Sequence, residues 1–171
     1  YFNSFDARKG VTIAIELARI MGFKLILAGE VSGHPEHIDT FNALKPIMDS
    51  MPNISYEIDV SNDRKMELMQ NAKALLFPSA FHQPFAVVVL ESLACGTPVI
   101  TTNMGCMPEL IKHGQTGYLC NGMDGLAKGI NTLSSLSNEK CRIDAVKRFD
   151  RKIMTSEYIK LYEAILRGEN W

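Results

Sequence analysis

The sequence predicts an α/β domain, a mostly parallel sheet covered by helices on both faces. Short unbroken apolar runs alternate along the chain with longer segments of helical periodicity, and each run ends at a glycine or a polar loop. A parallel sheet is covered on both sides, so its strands read as continuous apolar runs and not as alternating ones. Strand–helix–strand order then implies right-handed crossovers. A chain of 171 residues with 46% hydrophobic content has the size of one packed domain, spanning 1–171.

The elements follow in order. After a strand ending near Phe2, "VTIAIELARIM" (Val11–Met21) places Thr12, Glu16 and Arg19 on one helical face, as in a helix laid on a sheet. "KLILAG" (Lys24–Gly29) is a buried strand ended by glycine. A helix over 37–51 that contains Pro46 leads to the strand "NISYEI", a helix over 61–71 and the strand "KALLF". The next helix is expected from Pro84 to Cys95, with proline near its first position and Gly96 at its end. It is followed by the strand "PVITT", a short helix over 107–112, the turn and strand "GQTGYL", and helices over 123–134, 138–148 and 155–167.

Composition narrows the function. With 18 basic against 19 acidic residues and no dense basic stripe, nucleic acid is not expected as a partner. Cys95, Cys106, Cys120 and Cys141 lack C-x-x-C spacing, which favours reduced thiols and a cytoplasmic setting. The chain begins at Tyr1, within what reads as the end of a strand, so a preceding domain is expected outside this sequence.

In an open parallel sheet, ligands bind beyond the carboxyl ends of the strands. On that edge fall "NSFDARKG" with Lys9, then Gly29–Glu30, Asp59–Val60, "PSAFHQPFA" and "NMGC". The edge thus offers a cation at Lys9 and a helix N-terminus at Phe85, Ala86 and Val87, a combination suited to a phosphate or diphosphate. Glu91, the single charge within "FHQPFAVVVLESLACGTPVI", needs a counter-group, a wet cleft or a ligand.

The stretch "NAKALLFPSAFHQPFAVVVLESLACGTPVITTNMGCMPELIKHGQTGYL" resembles the donor-binding half of retaining GT-B glycosyltransferases of the glycosyltransferase-4 type. "DARKGVTIAIELARIMGFKLILAG" is similar to the same family's Lys-Gly loop, helix and second strand. The resemblance implies one Rossmann-like, three-layer half of a GT-B fold, with an acceptor-binding N-terminal domain outside this chain. It implies that Lys9 and the amides of Ala86 and Val87 meet the diphosphate of a nucleotide sugar, and that Glu91 accepts from the ribose hydroxyls. The loop at Asp59 and Val60 would hold the base, and the loop over 102–107 would lie near the sugar-phosphate end. The implied reaction is hexosyl transfer with retention, catalysed through Lys9 and Gln83, with the nucleotide sugar as substrate and with no metal and no separate cofactor. A sugar, a lipid-linked sugar or a protein glycan would be the acceptor. A peripheral contact with the inner membrane face would come through the missing domain.

Three positions depart from the family pattern. Gln83 stands where the first of two glutamates, eight residues apart, contacts the donor sugar; a glutamine hydrogen-bonds but supplies no charge. Ser4 occupies the place of a diphosphate-binding arginine, and Ala86 that of a glycine. These departures support a competing reading, a non-catalytic nucleotide-sugar-binding module, and a GT-B-like epimerase is a further alternative. A glycoside hydrolase would need two carboxyl groups about 5–9.5 Å apart, whereas Gln83 and Glu91 on one helix would be about 12 Å apart and only one is an acid. A dinucleotide dehydrogenase would show G-x-G-x-x-G, which is missing.

Apart from His82, for which a sugar contact and an exposed loop position are both open, the remaining polar residues are read as structural. His34 and His37 have no third ligand nearby to make a metal site. His82 borders the donor loop, His113 decorates a helix end, and Cys106 is small rather than reactive. Glu109 is expected to cap its short helix, and Asp63, Arg64 and Lys65 to form a solvated helix start.

Overall fold

A computed structural model describes residues 1–31 and 33–169. Residues 1–5 run alongside β1 (Leu25–Gly29): the Ala28 amide donates to the Tyr1 carbonyl (3.0 Å), Asn3 to Ala28 (3.1 Å) and Phe5 to Glu30 (3.2 Å). β1 pairs with β2 (Ile54–Ile58), Leu25 lying opposite Ile54. β3 (Leu75–Phe77), β4 (Val99–Thr102) and β5 (Gly117–Cys120) pair in that order, Leu75 opposite Val99 and Val99 opposite Gly117. All of these pairings are parallel, as the apolar runs predict.

Side chains alternate across the sheet with period two, and the two faces have separate cores. Leu76, Ile100 and Cys120 join one core with α1 (Val11–Met21), α2 (Pro35–Asp49) and α6 (Gly122–Asn131). Leu75, Phe77 and Val99 face the other, with α4 (Val87–Ala94), α5 (Met107–Leu110) and α7 (Asn138–Phe149). The named strands form two parallel sheets, β1–β2 and β3–β4–β5, where the sequence led us to expect one, and helices lie in layers on either side of them. Val89, Leu93 and Leu27 are fully buried, each contributing about 1.5–3 kcal/mol by leaving water. On α1, Val11, Ala14, Ile15 and Ala18 form the buried stripe, while Glu16 and Arg19 pair outside it.

Element boundaries differ from expectation at several helix ends, three of them helix starts with a local cause. The helix expected from Pro84 starts at Val87, because the Gln83 carbonyl is spent on the Cys106 amide (3.0 Å) and Ala86 is still non-helical at φ −134°. Gln83 is therefore not on that helix, and the 12 Å helical spacing from Glu91 does not apply. α2 begins at Pro35, with proline in its first turn. α8 (Arg151–Leu166) begins four residues before the expected 155, where Asp150 accepts the Lys152 amide at 2.8 Å.

α7 is anchored by a charge cluster. Asp144, 7% exposed, accepts from Arg148 at 2.8 Å and from Lys112 at 2.5 Å. Burial pushes its carboxyl up, and the two cations outweigh burial, leaving it below the ordinary carboxylate range. A carboxyl depressed in the folded state contributes stability above its unfolded pKa and loses it as pH falls through the folded value. Asp144→Asn is thus expected to cost about 1–3 kcal/mol near neutral pH. Urea unfolding across a pH series should show that difference shrinking below about pH 4.

Candidate functional site

The site is built where the loop before α1 meets the loop after β3. Asp6 caps a single 3-10 turn over Ala7–Lys9, and Gly10 closes it in the left-handed region at φ 83°. The Ala80 amide donates to the Arg8 carbonyl at 2.9 Å, tying that turn to the segment after β3. A side chain at Gly10 would place its Cβ 2.0 Å from the Pro78 carbonyl oxygen, so only glycine permits the approach.

The approach delivers Lys9 to Gln83. The Lys9 ammonium donates to Gln83 Oε1 at 3.3 Å and sits 5.0 Å from the centre of the Phe81 ring. Gln83 is 6% exposed, and its Nε2 donates to Ser79 Oγ at 3.3 Å. The Ser79 hydroxyl in turn donates to the Phe81 carbonyl at 3.1 Å. A neutral amide suits this place because it accepts from the cation at one end and donates to the hydroxyl at the other. Arg8 is different: its side chain is 70% exposed and paired with Asp6 at 2.7 Å, an interaction that holds the Asp6 carboxyl below its usual range.

The loop between β4 and α5 closes over the same point. Thr102 Oγ1 donates to the Ser79 carbonyl at 2.7 Å, and the Cys106 amide donates to the Gln83 carbonyl at 3.0 Å. Gly105 has φ 59°, and a Cβ there would lie 2.6 Å from the Gln83 backbone. Cys106 is buried, and its thiol is pushed up, chiefly by burial. Small size, not reactivity, fits that position. Phe85 and Val87 are more than half exposed, Ala86 is buried, and no side chain caps α4, whose N-terminus carries the partial positive charge of its amides.

Glu91 does have a counter-group. Lys65 Nζ lies 2.6 Å from Glu91 Oε1, with the two side chains 16% and 29% exposed. This corrects the reading of Lys65 as part of a solvated helix start: α3 (Asn62–Asn71) turns it toward α4. Its neighbour Arg64 is also engaged, with Glu57 at 2.7 Å and Glu67 at 2.8 Å. Asp59 takes a left-handed backbone at φ 49°, its amide donates to the Gly29 carbonyl (2.9 Å), and its Oδ1 accepts the Val31 amide (3.1 Å). Asp59 and the half-buried Val60 therefore mark the carboxyl ends of β1 and β2, as expected. Ser4 is half-buried, its carbonyl taken by the Tyr1 hydroxyl at 3.1 Å.

Other expectations are revised. The Glu109 carboxylate does not cap α5; it is the Glu109 carbonyl that is used, by Arg148. His113 is structural, in keeping with its reading as a helix-end residue, its Nδ1 accepting the Leu119 amide at 3.1 Å. His34 precedes α2, with its ring centre 4.7 Å from that of His37. Among the described residues no cluster of three or more His, Cys, Asp or Glu is placed to hold a metal, and no helix is long and apolar enough to cross a membrane. The four cysteines are free thiols. Sequence reasoning missed Lys65, Ser79 and Phe81. "PS" after a buried strand marked Ser79 only as loop, and nothing in the sequence joins Lys65 to a residue 26 positions away.

Parallel strands between two helical layers, with the Lys9–Gln83 contact and an uncapped helix N-terminus in the loops that follow them, define a Rossmann-like domain of the GT-B type. The chain belongs to the family Glycosyl transferases group 1, whose profile matches residues 1–148. N-acetyl-alpha-D-glucosaminyl L-malate synthase from Bacillus anthracis is 31% identical over 115 residues, covering 63% of this chain and 30% of the relative. AviGT4, a glycosyltransferase involved in avilamycin A biosynthesis, superposes with a TM-score of 0.79 at 23% identity, covering 100% of this chain and 51% of its own. Anabaena Alr3699/HepE, solved in complex with UDP and glucose, gives 0.77 at 21%, covering 95% of this chain and 48% of its own. The chain thus spans about a third of the first of these and half of the other two.

Proposed function

We propose that this chain supplies the nucleotide-sugar donor site of a hexosyl transferase that acts with retention. The observation that carries the reading is the Lys9–Gln83 contact at 3.3 Å, made by two loops at the carboxyl edge of the sheet just ahead of the α4 N-terminus. A diphosphate seated there meets the Lys9 ammonium and the amides at Ala86 and Val87. Fixed donors of this kind stabilise the charge that develops on a departing nucleoside diphosphate. The ribose lies against Glu91, the base near Asp59 and Val60, and the sugar near Gln83 and the loop over 102–107. Membership of the glycosyl transferase family supports transfer, and the UDP complex of HepE supports a uridine nucleotide as the first donor to try.

The acceptor half of the cleft is assigned to a domain outside this chain, so this chain alone is expected to bind without turnover. A thermal-shift screen of UDP, GDP and ADP sugars tests the reading, since a ligand at 100 times its Kd adds about 2.7 kcal/mol of apparent stability. One base is expected to raise the midpoint. No shift with any of the three, nor with the free diphosphates, would sink it. The neutral Gln83 favours a second reading, a binding module without transfer; there the whole protein would bind the nucleotide sugar and leave the sugar in place.

A further inference from the structure

We infer that Lys65 recognises the ribose of a nucleoside diphosphate, its ammonium and the Glu91 carboxylate together taking the sugar's vicinal hydroxyls. This rests on the donor-site reading above and adds a residue that reading does not use. Lys65 Nζ is 2.6 Å from Glu91 Oε1, and among the described residues neither group makes a second hydrogen bond. An ammonium has three donors, so two remain; a carboxylate has two oxygens, so Oε2 remains. The pair therefore presents a free donor beside a free acceptor, with the Lys65 side chain drawn in to 16% exposure.

That arrangement fits a ribose 2′-hydroxyl, which both donates and accepts. A carboxylate alone could only accept. Partly exposed ion pairs contribute little to stability, so a fold-holding role gives weak reason for keeping two long side chains in one geometry. Neighbouring Arg64 shows the contrast, its guanidinium being already shared between Glu57 and Glu67.

The test is the ratio of affinities for ribonucleoside and 2′-deoxyribonucleoside diphosphates, measured by calorimetry with the uridine, guanosine and adenosine pairs on the full chain. The parent is expected to prefer the ribonucleotide by about 10- to 100-fold, as a site built around a hydroxyl rejects the analogue lacking it. Lys65→Met should weaken ribonucleotide binding about tenfold and deoxyribonucleotide binding far less, bringing the ratio toward one. Lys65→Arg should retain part of the preference. A purely structural Lys65 would weaken both ligands alike, so an unchanged ratio in Lys65→Met overturns the inference. A parent that binds none of these diphosphates removes the donor-site reading itself. A parent whose binding fails with Lys9→Ala, while Lys65→Met keeps the ratio, removes the Lys65 role alone.

Discussion

Lys9→Ala is expected to weaken nucleoside diphosphate binding by about 10- to 100-fold, whereas Arg8→Ala changes it by no more than about twofold. The two cations are adjacent in sequence and opposite in situation. Lys9 is half-buried, held between the Gln83 carbonyl oxygen and the Phe81 ring, and neither neighbour cancels its charge. A charge-assisted hydrogen bond in such a place contributes about 1.5–3 kcal/mol, which sets the expected range. Arg8 is 70% exposed and already neutralised by Asp6, and a solvent-screened pair of that kind has little left to offer an anion. Calorimetry with the nucleoside diphosphate selected by the donor screen separates the two. Equal losses from both variants would mean that only bulk positive charge matters and that no phosphate seat exists at Lys9.

The second large effect concerns folding. Gly10→Ala is expected to cost about 3–5 kcal/mol, a large part of the 5–15 kcal/mol that holds a typical domain together. The left-handed backbone at φ 83° would account for about 1–2 kcal/mol of that by itself. The rest comes from the Pro78 carbonyl, 2.0 Å from the added methyl and fixed at the end of β3. Gly22→Ala is the control: φ is 71° there as well, but nothing lies within 4 Å, so only the backbone cost applies. Urea midpoints for the two variants should differ accordingly. Equal destabilisation would show that the loop after β3 yields easily, and the tight joining of the Lys9 and Gln83 loops would then have no mechanical basis.

Much of the architecture was readable because burial writes itself into sequence. "LILAG", "LLF" and "VITT" are apolar throughout since both faces of each strand are covered, and the glycine-ended helices gave their own stops. That Lys9 and Gln83 both fall in loops that follow strands was readable from the alternation of strand and helix. What stayed illegible depended on contacts between distant segments. The start of α4 was misplaced because Pro84 favours a first helical turn locally, while the Gln83 carbonyl is claimed by Cys106, 23 residues on. Lys65 looked like one of three solvated charges because helix periodicity says which face a residue is on, not which other helix that face meets. The use of the Glu109 carbonyl by Arg148 of α7 was illegible for the same reason, the two residues being 39 positions apart.

The glutamine at position 83 carries a further meaning once its neighbours are known. A glutamate there would pass from ionised to neutral as pH fell through its pKa, about 4.3 for a free side chain and lower beside a cation, and Lys9 would lose its ion-pair partner as it did so. With Gln83 the partner carries no ionisable carboxyl, and the contact is a cation leaning on a neutral dipole. An incoming diphosphate thus finds no resident anion to displace at Lys9. The acid–base sensitivity of that corner of the cleft passes from the protein to the ligand's own phosphates.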